Sequence, residues 1–200
     1  MAYPTVEGER LELVRLLEAL PDAILGSKTF RDETYIFVNR DAIHDVVKFL
    51  KDSEELDYSY FVEAVGVDYS RWEHPRDLSE RFEVVYNLFS IKHSARLFLK
   101  VGVDDGQKIP TLKNLFAGAE YPEREINDLF GIQFADHDPI GRFLLPDDWI
   151  GYPLRKEYPL GGEDVLFDAG DRGPAIEDIQ QPHAGESWTG KTGSSDVSGR

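Results

Sequence analysis

The sequence predicts an α+β fold: a two-layer sandwich of a mostly antiparallel sheet with helices on one face, followed by an extended C-terminal strap. Three observations predict it. Helical and strand periodicities alternate in the order α, β, α, β, β, β, α, without the regular βαβ repeat of a parallel sheet. Two strand-like runs flank KHSA as a hairpin would. Residues 144–160, LLPDDWIGYPLRKEYPL, hold three prolines, each of which removes a backbone donor and fixes φ, so this segment is neither helix nor strand.

Each element has its own warrant. In ERLELVRLLEAL (9–20), Leu11, Val14, Leu17 and Leu20 recur at three-residue steps, and Pro21 closes the helix. TYIFV (34–38) is β-branched and aromatic, a strand. DAIHDVVKFLKDS (41–53) sets Ile43, Val46, Val47 and Leu50 on one helical face behind Asp41 as N-cap. SYFVEAVGVDY (59–69) reads as a strand. RFEVVYNLFSI (81–91) and ARLFLKVGV (95–103) form the hairpin, with Leu97, Leu99 and Val101 on one face and Arg96, Phe98 and Lys100 on the other. TLKNLF (111–116) reads as a short helix behind Pro110. YPEREINDLFG (121–131) is a further helix, with Pro122 in its first turn and Gly131 at its end. The organisation is thus a core domain over 1–135, a strap over 136–160 and a glycine-rich extended or disordered tail over 161–200. The tail holds eight of the 17 glycines and few large apolar residues.

Composition narrows the function. With 200 residues and 41% hydrophobic content, the chain suffices for one domain with a core and an appendage. A net charge of −16 opposes binding to nucleic acid and direct attraction to an anionic membrane surface. It suits partners with basic patches. There is no cysteine, hence no disulfide, no thiol nucleophile and no thiolate ligand for an iron–sulfur cluster. The start, MAYPTVEGERLELVRLL, lacks the apolar stretch of a secretory signal, and no window reaches the ~20 apolar residues of a membrane helix.

No motif for autonomous catalysis emerges. Asp147 and Asp148 are sequence neighbours, whereas a glycosidase acid pair faces its partner across a substrate; Pro-Asp-Asp-Trp reads as a turn in which an Asp bonds nearby backbone N–H groups. His137 and Asp138 have no companions at ligand spacing, since His44, His74, His93 and His183 are scattered. Lys191-Thr192 lacks the rest of a phosphate-binding loop, and no G-x-S-x-G turn exists. In the helix EREINDLFG, Arg124 and Glu125 lie four and three residues before Asp128, close enough to meet it on the helix surface. These charges are either a solvated face with local ion pairs or an anchor completed by a partner or by the strap. An autonomous acid–base enzyme using Asp147, Asp148 and His137, and a free-standing acidic adaptor, are the competing classes.

The run EYPEREINDLFGIQFADHDPIGRFLLPDDWIGYPLRKEYPL (120–160) resembles the signature of the 30-kDa subunit family of respiratory complex I, the C subunit of the bacterial proton-translocating NADH-quinone oxidoreductase. The shared elements are ERE-x-x-D-x-FGI-x-F, then His, then a basic residue before LLPDDW, then G-x-PLRK-[DE]-YPL. The resemblance covers essentially residues 9–160. Relatives often have Trp at Tyr121, Tyr at Asn127, His at Tyr152 and a paired Arg where Gly141-Arg142 stands, so one cation is missing here.

The resemblance implies a non-catalytic accessory subunit of the peripheral arm, peripheral to the cytoplasmic side of the inner membrane. Its neighbours would be the 49-kDa-type (D-type) subunit, which builds the quinone site, and the cluster-bearing B-type subunit. No cofactor is expected in this chain; FMN, iron–sulfur clusters and quinone belong to partner subunits. Equivalent subunits serve complexes fed by ferredoxin or F420 and membrane-bound hydrogenases. The strap is then expected to lie on a neighbouring subunit, with Arg124, Glu125, Asp128, Phe130, His137, Arg142, Pro146, Asp147, Asp148, Trp149, Pro153, Leu154, Arg155, Lys156 and Tyr158 as partner-binding residues. Prolines limit the entropy lost on docking, Trp149 is its aromatic anchor, and Arg155 pairs with a partner carboxylate. On that reading Arg155→Glu weakens assembly and leaves the domain's melting temperature almost unchanged.

Overall fold

A computed structural model describes residues 5–6, 9–31, 33–137 and 141–159. The expectation for the tail, 161–200, falls outside them.

Strands β1 (Thr5–Val6) and β2 (Glu9–Arg10) pair antiparallel ahead of helix α1 (Leu11–Ala19). A 3-10 turn at Pro21–Ala23 leads into β3 (Ile24–Phe30) and β4 (Glu33–Val38). Helix α2 (Ile43–Asp52) follows, then β5 (Tyr60–Asp68), β6 (Phe82–Ser90), β7 (Ala95–Val103) and β8 (Lys108–Pro110). Helix α3 (Glu120–Phe130) and β9 (Gln133–Ala135) complete the domain. The main sheet has the order β3-β4-β7-β6-β5; every pairing is antiparallel except β4 with β7. Strands β8 and β9 form a separate parallel pair.

Register assigns the two faces. Ile36, Leu99, Tyr86 and Ala64 align across four strands, as do Val38, Val101, Val84 and Gly66, and all belong to the buried face. The apolar stripe of α2 (Ile43, Val46, Val47, Leu50) and Leu11 and Leu16 of α1 complete this core. Helix α3 comes close to β5: a Cβ on Gly66 would stand 2.9 Å from the Phe130 ring and 3.3 Å from Ile126, so only glycine permits this approach. On the opposite face Tyr35 stacks on Phe98 at 5.0 Å, and Val65 is exposed. There the segment 69–80 brings Arg76 to Glu83 at 3.4 Å and buries Leu78.

Three expectations need correction. Asp41 does not cap α2: a 3-10 turn at Arg40–Ala42 precedes the helix, and its cap is Asn39, whose side chain accepts from the Asp41 amide at 3.2 Å. Strand β3 has no counterpart among the elements expected from sequence. TLKNLF is a single turn rather than a helix: the amides of Leu115 and Phe116 both donate to the Leu112 carbonyl, and a 3-10 turn at Ala117–Ala119 follows. The turn ends because the backbone is extended at Phe116, φ −135° and ψ 110°, while side chains cap its start. The Glu123 carboxylate accepts from the Leu112 amide at 2.7 Å and from the Thr111 hydroxyl, and Thr111 Oγ1 accepts from the Lys113 amide.

Candidate docking surface

Helix α3 ends where the strap begins to matter. Gly131 takes φ +75°, the left-handed residue that terminates a helix, and its amide donates to Asn127 O at 2.8 Å. Its missing side chain is used twice, because a Cβ there would lie 2.6 Å from the Tyr152 ring. Tyr152 belongs to the strap, so the strap lies over the end of this chain's own helix.

Asp128 organises the first half of that contact. Its side chain is fully buried, and Oδ2 accepts three successive strap amides: Phe143 at 3.2 Å, Leu144 at 2.8 Å and Leu145 at 2.9 Å. Its Oδ1 accepts from the Arg142 guanidinium at 3.1 Å. Arg142 also donates to the carbonyls of Asp128, Trp149 and Gly151 at 3.0, 2.8 and 3.0 Å, so one side chain ties both arms of the strap loop to α3. These contacts decide between the two readings of the helix charges. Asp128 is completed by the strap of its own chain, Arg124 lies 4.8 Å from the Phe143 ring, and Glu125 stays exposed.

The second half is ionic. Arg155 donates to the Phe130 carbonyl at 2.6 Å, pairs with Asp105 at 2.7 Å, and sits by the rings of Tyr152 and Phe82 at 4.7 and 5.2 Å. Arg81 pairs with Asp68 at 3.0 Å, with Asp105 at 2.8 Å and with Glu157 of the strap. The Lys156 amide donates to Asp68 at 2.9 Å and the Leu154 amide to Leu129 O at 3.1 Å. Arg155, expected to meet a partner's carboxylate, thus meets Asp105 of this chain. The described strap belongs to the same compact unit as the core, which runs to Tyr158.

The remaining predicted residues divide. Phe130 is buried against β5. His137 Nε2 stands 3.9 Å from the buried Glu123 carboxylate. Pro146 closes the PDDW turn by accepting the Trp149 amide at 3.0 Å, so a backbone bond does what was expected of an Asp side chain. Trp149 is half-buried, its ring 6.5 Å from Tyr158 and nearly parallel to it. Pro153 and Tyr158 are half-buried, while Asp147, Asp148, Leu154 and Lys156 are exposed. Sequence reasoning missed Asp68, Arg81 and Asp105, which receive the strap, and Ile150, which is 87% exposed. For Asp68, Arg81 and Asp105 no local motif marks the role; pairing across 88 positions links Asp68 to Lys156.

The carboxylates carry the pH dependence. Burial pushes Asp68 upward, but Arg81 and the amides of Lys156 and Ser70 overcome it and hold the group well below its ordinary value. Burial likewise opposes the amides of Leu145, Leu144 and Phe143 and Arg142 at Asp128, and the net direction is again down. Groups depressed on folding stabilise above their unfolded pKa, near 4, and lose that contribution as pH falls through the folded value. Glu123 runs the other way: burial outweighs its bonds to Thr111 and Leu112 and raises it. Its favourable share belongs to low pH and fades as pH rises. Glu157 and Glu55 are also depressed, chiefly by their bonds to Arg81 and Arg15. With four depressed carboxylates against one raised, the melting temperature is expected to fall steeply below about pH 4; a flat profile from pH 6 to 3 contradicts this balance.

Among the described residues no cluster of three or more His, Asp or Glu is arranged to hold a metal, and no helix is long and apolar enough to cross a membrane.

Comparison with known proteins places this architecture. Residues 36–164 match the family model "Respiratory-chain NADH dehydrogenase, 30 Kd subunit". The C subunit of the NADH-quinone oxidoreductase of Roseiflexus sp. (strain RS-1) is 47% identical over 156 residues, 78% of this chain and 86% of that one. Its counterpart in Geobacter sulfurreducens is 41% identical over 153 residues, covering 76% and 90%. The solved structure of the trypsin-resistant fragment (1-134) of Nqo5 superposes with TM-score 0.55 at 29% identity, covering 64% of this chain and 98% of the fragment. A chain of the archaeal membrane-bound sulfane sulfur reductase shares the fold at TM-score 0.59 and 22% identity, covering 84% and 96%. The chain belongs to the family of the 30-kDa subunit of the respiratory-chain NADH dehydrogenase.

Proposed function

We propose that this chain is a non-catalytic peripheral-arm subunit of a proton-translocating NADH:quinone oxidoreductase. It docks on the 49-kDa-type subunit that forms the quinone site, beside the cluster-bearing B-type subunit, on the cytoplasmic side of the inner membrane. FMN, iron–sulfur clusters and quinone are carried by the partners, and this chain supports electron transfer by holding them in place. The observation that carries the reading is the 47% identity to a C subunit of such an enzyme along 86% of that subunit's length. The strap supports it: a segment pinned to its own domain by charge-assisted bonds still presents exposed apolar side chains at Leu144, Ile150 and Leu154.

The test is a mild-detergent pull-down of the tagged chain from native membranes, with mass spectrometry of the proteins recovered alongside it. The reading predicts recovery of the 49-kDa-type, cluster-bearing and NADH-oxidising subunits. A ferredoxin- or F420-oxidising module in place of the NADH module would transfer the role to a different complex. Recovery of the chain alone from the soluble fraction would contradict a subunit role.

A further inference from the structure

Among the described residues, Ile150 is the most exposed of the large hydrophobic side chains, at 87%. Its backbone is nevertheless held on both sides. The carbonyls of Trp149 before it and Gly151 after it accept from the same Arg142 nitrogen, Nη2, at 2.8 and 3.0 Å, while Nη1 donates to Asp128. Trp149 turns its ring toward Tyr158, and Gly151, at φ +88°, bends the chain away immediately afterwards. The result is a single isoleucine projected from a backbone pinned to α3. An apolar group so presented is already ordered, and docking it costs little further conformational entropy.

Its surroundings state what fits it. Asp147 and Asp148, in the turn just before, are exposed and pair with no cation among the described residues. A second copy of this chain, with its net charge of −16, is an unfavourable complement to two free carboxylates. An apolar socket rimmed by arginine or lysine on another protein is a favourable one.

We infer that Ile150, held out by Arg142, is the strap's anchor in an apolar socket of a neighbouring subunit, and that Asp147 and Asp148 pair with basic groups on that socket's rim. This deepens the subunit reading above and rests on it. The sequence-based choice of anchor, Trp149, is replaced by its neighbour because the tryptophan is occupied within the strap.

The test uses the full-length tagged chain in its native membranes, with Ile150→Asp, Ile150→Leu and the pair Asp147→Asn/Asp148→Asn. The readouts are recovery of the other subunits and the melting temperature of each purified chain. Ile150→Asp is expected to lower recovery about tenfold or more while leaving the melting temperature unchanged, and Ile150→Leu to restore recovery. The Asn pair is expected to lower recovery most at low salt. If wild type and Ile150→Asp recover the subunits equally, the anchor falls and the subunit reading stands. If the melting temperature falls in parallel with recovery, Ile150 is structural and the inference fails. If wild type itself recovers no subunit, the reading and the inference fall together.

Discussion

Asp128→Ala is expected to destabilise the purified chain by about 3–5 kcal/mol, because it removes the counter-charge of a guanidinium and the acceptor of three amides together. The carboxylate is the counter-charge of Arg142, whose other bonds go to carbonyls, and the shared acceptor of the amides of Phe143, Leu144 and Leu145. Truncation leaves Arg142 half-buried with its carbonyl bonds but without its counter-charge. Asp128→Asn keeps the shape and one acceptor oxygen, so its loss is expected to be smaller. Urea denaturation measures both. A loss of less than ~0.5 kcal/mol for the alanine variant, the size of an ordinary surface change, would mean that the Asp128 contacts contribute nothing to the domain.

Arg155→Glu is the second large effect, and here the structure reverses the expectation drawn from sequence. The substitution abolishes the bond to Phe130 O and the packing beside Tyr152 and Phe82, and sets a carboxylate between Asp105 and Glu157. The purified chain is expected to lose about 1.5–3 kcal/mol, the range for hydrogen bonds to a charged group. Arg155→Lys is expected to recover only part, since an ammonium cannot reproduce the planar fork that reaches a carbonyl and a carboxylate at once. An unchanged melting temperature in Arg155→Glu would return Arg155 to a partner surface.

What was legible in the sequence was what local periodicity encodes. The hairpin of β6 and β7 shows because alternation along 95–103 places Leu97, Leu99 and Val101 on one face. Helix α3 shows because its apolar spacing ends at a glycine that takes a positive φ. Strand β3 stayed hidden because ILGSKTF is an edge strand, largely exposed, with glycine, serine and lysine where alternation would otherwise appear. TLKNLF was misread because its backbone turns extended at Phe116, φ −135° and ψ 110°, after a single turn, and no residue in the run announces that stop.

The candidate site divides the same way. Prolines and aromatics marked 144–160 as an extended segment that buries part of itself. They carry no information about which surface receives it. That depends on Asp68, Asp105 and Asp128, acidic residues indistinguishable in sequence from the many others that give this chain its charge of −16. Likewise an aromatic is the better guess for an anchor, yet only the folded chain sets the Trp149 ring beside Tyr158 and leaves Ile150 exposed.

The most direct test of the central claim, that the strap is folded onto its own domain before any partner arrives, is amide hydrogen exchange of the purified full chain. The amides of Leu144 and Leu145, donated to Asp128, of Leu154, donated to Leu129 O, and of Lys156, donated to Asp68, are expected to exchange far more slowly than in an unstructured peptide. Exchange of those four at unstructured-peptide rates, with the β6–β7 hairpin still protected, would contradict the account and place the strap's binding site on another subunit.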